Sequence, residues 1–183
     1  CLNCGFMYKD ESHILSSELE FDRYKLHNNN DVDYYLYQKS FFEEIEKYLS
    51  GNILDYGCGD NHILSNIINE EGYYCSFYDL YFYDNEDTLL YLYNVIILEE
   101  VIEHLKSPIT VLKKLYSLLN KDGLFIIRTR LLNKNINLNS WWYLRDTTHI
   151  SFFDLETFSY LSKLLSLQII YCNDKDLIIL QKA

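Results

Sequence analysis

Residues Asn52 to Asn61 read NILDYGCGDN, and the fold turns on how this stretch is read. The run Asn52-Ile53-Leu54-Asp55-Tyr56 is short, apolar and closed by Gly57-Cys58-Gly59, the pattern of a buried strand entering a tight turn. Helical spacing returns from His62 to Asn69, and Gly72 closes it. In a parallel sheet, ligands bind beyond the carboxyl ends of the strands, where the strand order reverses. The two glycines let the backbone come close to such a ligand, and a helix N-terminus follows them. The next strand, Tyr73 to Tyr78, stops at Asp79, where an acidic side chain commonly takes a ribose diol. Asp60-Asn61-His62 stands where a dinucleotide fingerprint has its third glycine, which disfavours a pyrophosphate-bearing ligand.

Further along, strands and helices alternate. A helix is predicted from Asp31 to Leu49, a buried strand from Val95 to Leu98, and helix-forming residues from Glu99 to Leu105. Ser107-Pro108 opens a helix to Leu119, Asn120 to Gly123 reads as a turn, and Leu124 to Thr129 as a strand. A polar, Asn-rich stretch runs from Leu131 to Ser140, and Asp154 is a helix cap for Leu155 to Leu165. Gln168 to Cys172 and Leu177 to Leu180 suit a terminal hairpin. This order implies an α/β fold: a Rossmann-like, mainly parallel sheet with an antiparallel last strand and helices on both faces. Residues 80–94 are too few for a helix plus a strand, so a shortened region is expected after the second strand.

The 183 residues fit one domain, and the apolar half of them can bury a sizeable core. No apolar run approaches the roughly 20 residues of a membrane span, and no basic-then-apolar leader opens the chain. Met7 is the only methionine and Cys1 comes first, so a natural N-terminus is expected to be missing. The net charge of −11 argues against electrostatic grip on nucleic acid, although Lys113, Lys114, Arg128, Arg130 and Lys134 are candidates for a local basic patch. Five scattered cysteines make no disulfide framework. Cys58, Cys75 and Cys172 read as small hydrophobes, which suits a reducing, cytoplasmic setting.

ILDYGCGDN resembles the first motif of class I S-adenosylmethionine-dependent methyltransferases, and FYDL (Phe77–Leu80) resembles their second. NVIILEEVIEHLKSP (Asn94–Pro108), LLNKDGLFIIRT (Leu118–Thr129) and THISFFDLETFSYLSKLLSL (Thr148–Leu167) are similar to their later blocks. The resemblance covers residues 31–183 and implies S-adenosylmethionine bound along Asp55, Gly57, Cys58 and Gly59. It also implies Asp79 on the adenosine ribose with Leu80 beside it, and Glu99 at the methionine end. Asn94 departs from the acid that many relatives carry, at a place remote from chemistry.

Glu100, Glu103 and His104 fall at positions i, i+3 and i+4 of a predicted helix and so would share a face. Two carboxylates and an imidazole can hold a divalent cation, their oxygen-rich character favouring Mg²⁺ or Mn²⁺, with His149 as a fourth ligand. The pattern resembles that of metal-dependent O-methyltransferases acting on small-RNA 3′ ends and on ubiquinone precursors, which makes Glu103, His104 and His149 candidate catalytic groups. A metal-free reading, with His104 anchoring the next loop, stands beside it.

The late stretch Trp141 to Asp146 offers Trp142, Tyr143 and Arg145 as a substrate wall for a planar or sugar-like small molecule. Arg23 to Asn29 resembles a segment ahead of the catalytic domain in bacterial methyltransferases, where Tyr24 and His27 would reach in from a lid. Cys1-Leu2-Asn3-Cys4-Gly5 is half of a zinc-knuckle pattern within an N-terminal extension of residues 1–30. The resemblance to methyltransferases with a four-cysteine ribbon places the other half upstream. O-methylation of a small molecule is the expected activity. The alternatives are an RNA-modifying methyltransferase and a non-catalytic cofactor-binding partner subunit. The sequence does not define the oligomeric state.

Overall fold

In the strand Val95-Ile96-Ile97-Leu98, successive side chains must enter opposite layers, because the side-chain period of a strand is two. The computed structural model describes residues 1–26 and 31–183 and shows both layers filled. Val95 and Ile97 pack with Phe41, Phe42, Ile45, Ile67 and Ile68 on one face. Ile96 and Leu98 pack with Leu112, Leu115, Phe158 and Leu161 on the other. Burial on both faces is why this strand is apolar throughout rather than alternating.

The elements run β1 (Met7–Tyr8), α1 (Ser17–Tyr24), α2 (Val32–Ile45), β2 (Asn52–Tyr56), α3 (Ile63–Glu70), β3 (Tyr74–Tyr78) and β4 (Tyr93–Glu99). They continue with α4 (Pro108–Leu118), β5 (Leu119–Arg128), β6 (Ser151–Phe152), α5 (Leu155–Leu165), β7 (Leu167–Cys172) and β8 (Leu177–Lys182). Six strands form one sheet in the order β3-β2-β4-β5-β8-β7. β3, β2, β4 and β5 are parallel, and β8 lies antiparallel to both of its neighbours. The sheet is therefore mainly parallel with an antiparallel last strand, as the sequence implies. Asp154 caps its helix as the sequence implies, accepting from the Thr157 N–H at 2.7 Å; Asp31 caps α2, accepting from the Tyr34 N–H at 2.7 Å, while Ser107 makes no side-chain cap bond.

Between β3 and β4 the chain makes an isolated bridge, Asp79 with Tyr83, and one 3-10 turn, Glu86–Leu90. No strand covers β3 there, so β3 is a sheet edge.

Two expectations need correction. The predicted turn Asn120 to Gly123 lies inside a strand: pairing jumps from Tyr93↔Leu119 to Val95↔Leu124, and the residues between bulge out. Leu119 is already buried beside Tyr93, so the strand begins before the polar residues rather than after them. Glu99 to Leu105 is not an α-helix either. The Glu100 N–H donates to the Arg128 carbonyl at 2.9 Å, extending the ladder past Glu99. Glu100 then takes a left-handed φ of 52°, and only a 3-10 turn, Ile102–His104, follows.

The N-terminal residues pack on the rest of the chain. β1 pairs with β6, the Lys9 N–H donates to the Ile150 carbonyl at 2.8 Å, and the Thr157 hydroxyl donates to the Cys4 carbonyl at 2.7 Å. Gly5, with φ of 73°, abuts Asp154 so closely that a Cβ would collide with its carboxylate. Among the described residues no His, Asp, Glu or Cys cluster of metal-binding geometry includes Cys1 or Cys4, and no helix is long and apolar enough to cross a membrane.

The central strand carries the core, so Ile97→Ala should cost about 2–5 kcal/mol through lost burial and a residual cavity. Urea unfolding measures this; a change below about 1 kcal/mol would show that the two-faced core is not as close-packed as described.

Candidate active site

At the end of β2 three successive N–H groups are captured by the end of β3. The N–H groups of Gly57 and Cys58 donate to the Tyr78 carbonyl at 2.7 and 3.2 Å, and that of Gly59 donates to Asp79 Oδ2 at 3.0 Å. Asp79 Oδ1 accepts from the N–H groups of Tyr81 and Phe82 at 2.8 and 3.1 Å. These bonds hold the turn open, because its own N–H groups are satisfied sideways. Gly57 has φ of 84°, and a Cβ there would lie 2.5 Å from a Val101 methyl. The need for glycine at this position thus comes from the left-handed backbone and from Val101, rather than from a ligand alone.

A cleft of about 780 Å³ opens beside this turn, within the range of small-molecule sites. Asp55, Gly57, Cys58, Gly59, Asp79, Leu80 and Glu99 all line it. At its floor Gln38 of α2 donates to Glu99 Oε2 at 3.0 Å, yet Asp55 Oδ2, Glu99 Oε1 and Gln38 Oε1 are buried without a hydrogen-bond partner. Burial, then the nearby Glu99, pushes the Asp55 carboxyl up to about 8, against the pull of the Ser65 N–H. Burial likewise pushes Glu99 up to about 7. Unpaired acceptors in one place are costly unless a donor or cation satisfies them. Burial also raises the Cys58 thiol, which removes it as a nucleophile.

The same cleft is lined by Glu100, His104, Trp142, Tyr143 and His149. Ligand atoms of Glu103, His104 and His149 lie within 4.8 Å of one another. His104 Nδ1 is 3.1 Å from the Thr148 carbonyl and His149 Nδ1 is 2.8 Å from the Tyr143 carbonyl. A carbonyl only accepts, so each Nδ1 carries a proton and each Nε2 is turned away from its carbonyl partner. Burial lowers the pKa of His149, which keeps it neutral. Glu103 is fully buried with Oε2 unpartnered, and burial followed by the neighbouring Glu100 raises its carboxyl well above the usual range.

The structure brings together three of the four residues read as a metal set, and Glu100 stands beside them, outside the convergent group. Of the expected substrate wall, Trp142 is exposed at the cleft, with the Arg130 guanidinium 5.9 Å over its ring. Tyr143 is buried, its hydroxyl on Glu103 and 3.0 Å from Glu100 Oε2. Arg145 is not among the residues lining the cleft; its guanidinium donates to the Ser140 carbonyl at 3.5 Å. Tyr24 of α1 does reach in, edge-on to the His104 ring at 5.6 Å; His27 lies outside the described residues. Of the candidate basic patch, Arg128 lies over the rings of Tyr37 and Phe41, and Arg130 pairs with Asp176 at 3.0 Å.

Sequence reading missed Tyr34, Tyr37 and Gln38 on α2, and Glu20 and Lys106, which also line the cleft. A signal for Gln38 was present: it is a polar residue on the buried face of the helix, three and four positions before Phe41 and Phe42.

A family model described as "Methyltransferase domain" matches residues 34–170. Among solved structures, a SAM dependent methyltransferase from Archaeoglobus fulgidus superposes with a TM-score of 0.64 at 16% identity, covering 91% of this chain and 99% of that one. An O-methyltransferase family protein from Burkholderia thailandensis gives 0.59 at 11% identity, covering 92% of this chain and 63% of that one. An O-methyltransferase family 2 protein from Planctomyces limnophilus, in complex with apigenin, gives 0.54 at 13%, covering 80% and 62%. The chain thus spans less than two thirds of the length of the last two. No curated protein matches it in sequence. The chain belongs to the methyltransferase-domain family and has the class I S-adenosylmethionine-dependent methyltransferase fold.

Asp55 makes stability depend on pH with a definite sign. Its pKa rises from 3.8 to about 8 on folding, so the folded chain keeps a proton that the unfolded chain releases. Its stabilising contribution is full below about pH 4 and is lost as pH rises through about 8. Asp55→Asn should therefore lose less stability than the parent across this window in urea unfolding; parallel pH profiles would refute the assignment.

Proposed function

We propose that this domain transfers a methyl group from S-adenosylmethionine to an oxygen of a small-molecule acceptor, with a divalent cation held by Glu103, His104 and His149. The observation that carries the reading is the convergence of three side chains: His104 and His149 line the cleft that also holds the Asp55–Gly59 turn, and the buried Glu103 lies beside them.

For the cofactor, the buried, unpartnered oxygens of Asp55, Glu99 and Gln38 are polar sites that an ammonium group bound in the cleft would satisfy. Asp79 accepts from three N–H groups, two on Oδ1 and one on Oδ2, and keeps acceptor capacity on Oδ2 for a ribose hydroxyl. Leu80, exposed at the cleft edge, offers an apolar face beside them. Methyl transfer by in-line displacement needs chiefly alignment of nucleophile, methyl and sulfur, and the cleft walls supply that alignment.

For the cation, the donor chemistry fits. When neutral, the two imidazoles present Nε2 lone pairs, each oriented by a carbonyl on its other nitrogen, and Glu103 Oε2 lacks any partner. With Glu100 outside the group, the set is less oxygen-rich than the sequence implied, which moves the preference from Mg²⁺ toward Mn²⁺. When bound, the cation supplies positive charge that lowers the pKa of a substrate hydroxyl. Trp142 and Arg130 line the same cleft and suit a planar, electron-rich or anionic acceptor. The strongly acidic chain favours such a small molecule over nucleic acid.

A second reading is favoured by the depth of Glu103. Sealed by Tyr143, it acts as a structural acid, and His104 or His149 serves as general base through Nε2 without a cation.

Binding of S-adenosylhomocysteine is expected at micromolar affinity, about −8 kcal/mol, by calorimetry. Methyl transfer from labelled cofactor into a metabolite extract should vanish with chelator and return with Mn²⁺. Glu103→Ala should lose turnover while retaining cofactor affinity. Full activity of demonstrably metal-free protein in excess chelator would decide for the second reading.

A further inference from the structure

We infer that Tyr143 is the positioning residue of the candidate cation centre, fixing its carboxylate, Glu103, and one of its imidazoles, His149, from a single site on the substrate-side loop. The inference rests on the cation reading above and deepens it.

The phenol oxygen of Tyr143 is 3.1 Å from Thr129 Oγ1 and 3.4 Å from the Arg130 backbone nitrogen. The Arg130 N–H can only donate, and the Thr129 hydroxyl is free to do the same. With both donating, the acceptor capacity of the phenol is filled and its single proton is shared between two acids, of which Glu103 is the nearer. Those acids are Glu103, hydrogen-bonded to the phenol through Oε1, and Glu100, whose Oε2 is 3.0 Å away. Oε1 of Glu103 is thereby occupied, and Oε2 is left as the oxygen without a partner. The phenol thus decides which carboxylate oxygen is offered to a cation.

The backbone of the same residue acts on the third group. The Tyr143 carbonyl accepts from His149 Nδ1 at 2.8 Å, and the two rings lie 4.0 Å apart. This bond sets the His149 tautomer and the direction of Nε2. Tyr143 is buried to 1% exposure, while its neighbour Trp142 on the same 3-10 turn is 60% exposed at the cleft. The turn therefore carries a substrate-facing ring and a ligand-positioning ring on consecutive residues. Partners of this kind commonly change metal affinity about 10- to 100-fold when removed.

The test is calorimetric titration of Mn²⁺ alone into the full chain and into Tyr143→Phe, with S-adenosylhomocysteine affinity measured in parallel. Tyr143→Phe keeps the ring and the backbone carbonyl and removes only the hydroxyl. Mn²⁺ affinity should fall about 10-fold or more, with S-adenosylhomocysteine affinity within about twofold of the parent, since the hydrogen bonds of the Tyr143 hydroxyl go to Thr129, Arg130, Glu100 and Glu103 and not to the Asp55–Gly59 turn. Equal Mn²⁺ affinity in parent and variant overturns the positioning role while leaving the cation reading intact. A parent chain that binds no Mn²⁺ overturns the cation reading and, with it, this inference. Should Tyr143→Phe fail to fold, Thr129→Val removes the side-chain partner that orients the phenol. It should weaken Mn²⁺ binding in the same direction, and an unchanged affinity there overturns the inference.

Discussion

The chemistry of this domain depends on one set of hydrogen bonds: the capture of the Gly57, Cys58 and Gly59 N–H groups by the Tyr78 carbonyl and the Asp79 carboxylate. Parallel pairing brings the ends of β2 and β3 level, Tyr56 opposite Tyr78, so that the two reversals begin side by side. Buried N–H groups demand partners. Satisfying them across the strand gap leaves the cleft face of the turn free and fixes Asp79 at the place where a ribose edge would sit. Asp55, one strand pitch inside, is left with an unpaired oxygen facing the same cleft.

The other half of the site follows from the end of β4. Glu99 still pairs with Arg128, and Glu100 leaves the sheet through a left-handed conformation. A non-glycine residue held there stores strain, which is characteristic of functional positions. The reversal drives Ile102 and Glu103 into the protein and leaves His104 at the wall, against Thr148. The Ile150 N–H then donates to the Glu103 carbonyl at 2.8 Å, which docks the His149 segment onto the 3-10 turn. β1 pairs with β6 just beyond, so the N-terminal residues secure the strand that carries His149 into place.

The sheet was legible because its signals are local. NILDYGCG, FYD and VIIL each declare a buried strand and its exit, and the shortage of residues before β4 declares a missing element. The lining of the cleft around the glycine turn was legible for the same reason, since Asp55 to Gly59, Asp79, Leu80 and Glu99 lie at or beside the exits of strands. The metal side was only half legible. Helical spacing put Glu100, Glu103 and His104 on one face, but pairing with β5 outcompetes the helix there, and the convergence arises from a turn instead. Tyr143 read as part of a substrate wall, whereas its ring is buried. Its proposed role comes from contacts with residues 6 to 43 positions away in sequence, and no periodic pattern reports these. Gln38 was visible only as a misplaced polar residue in an aromatic stripe.

The central claim, that one cleft aligns a methyl donor and a divalent cation, is tested most directly by anomalous diffraction from crystals grown with S-adenosylhomocysteine and Mn²⁺. The account predicts a single Mn²⁺ peak within coordination distance of Glu103, His104 and His149, in the same cleft as a nucleoside whose ribose meets Asp79. A nucleoside in that place with no Mn²⁺ peak at the three side chains would contradict it.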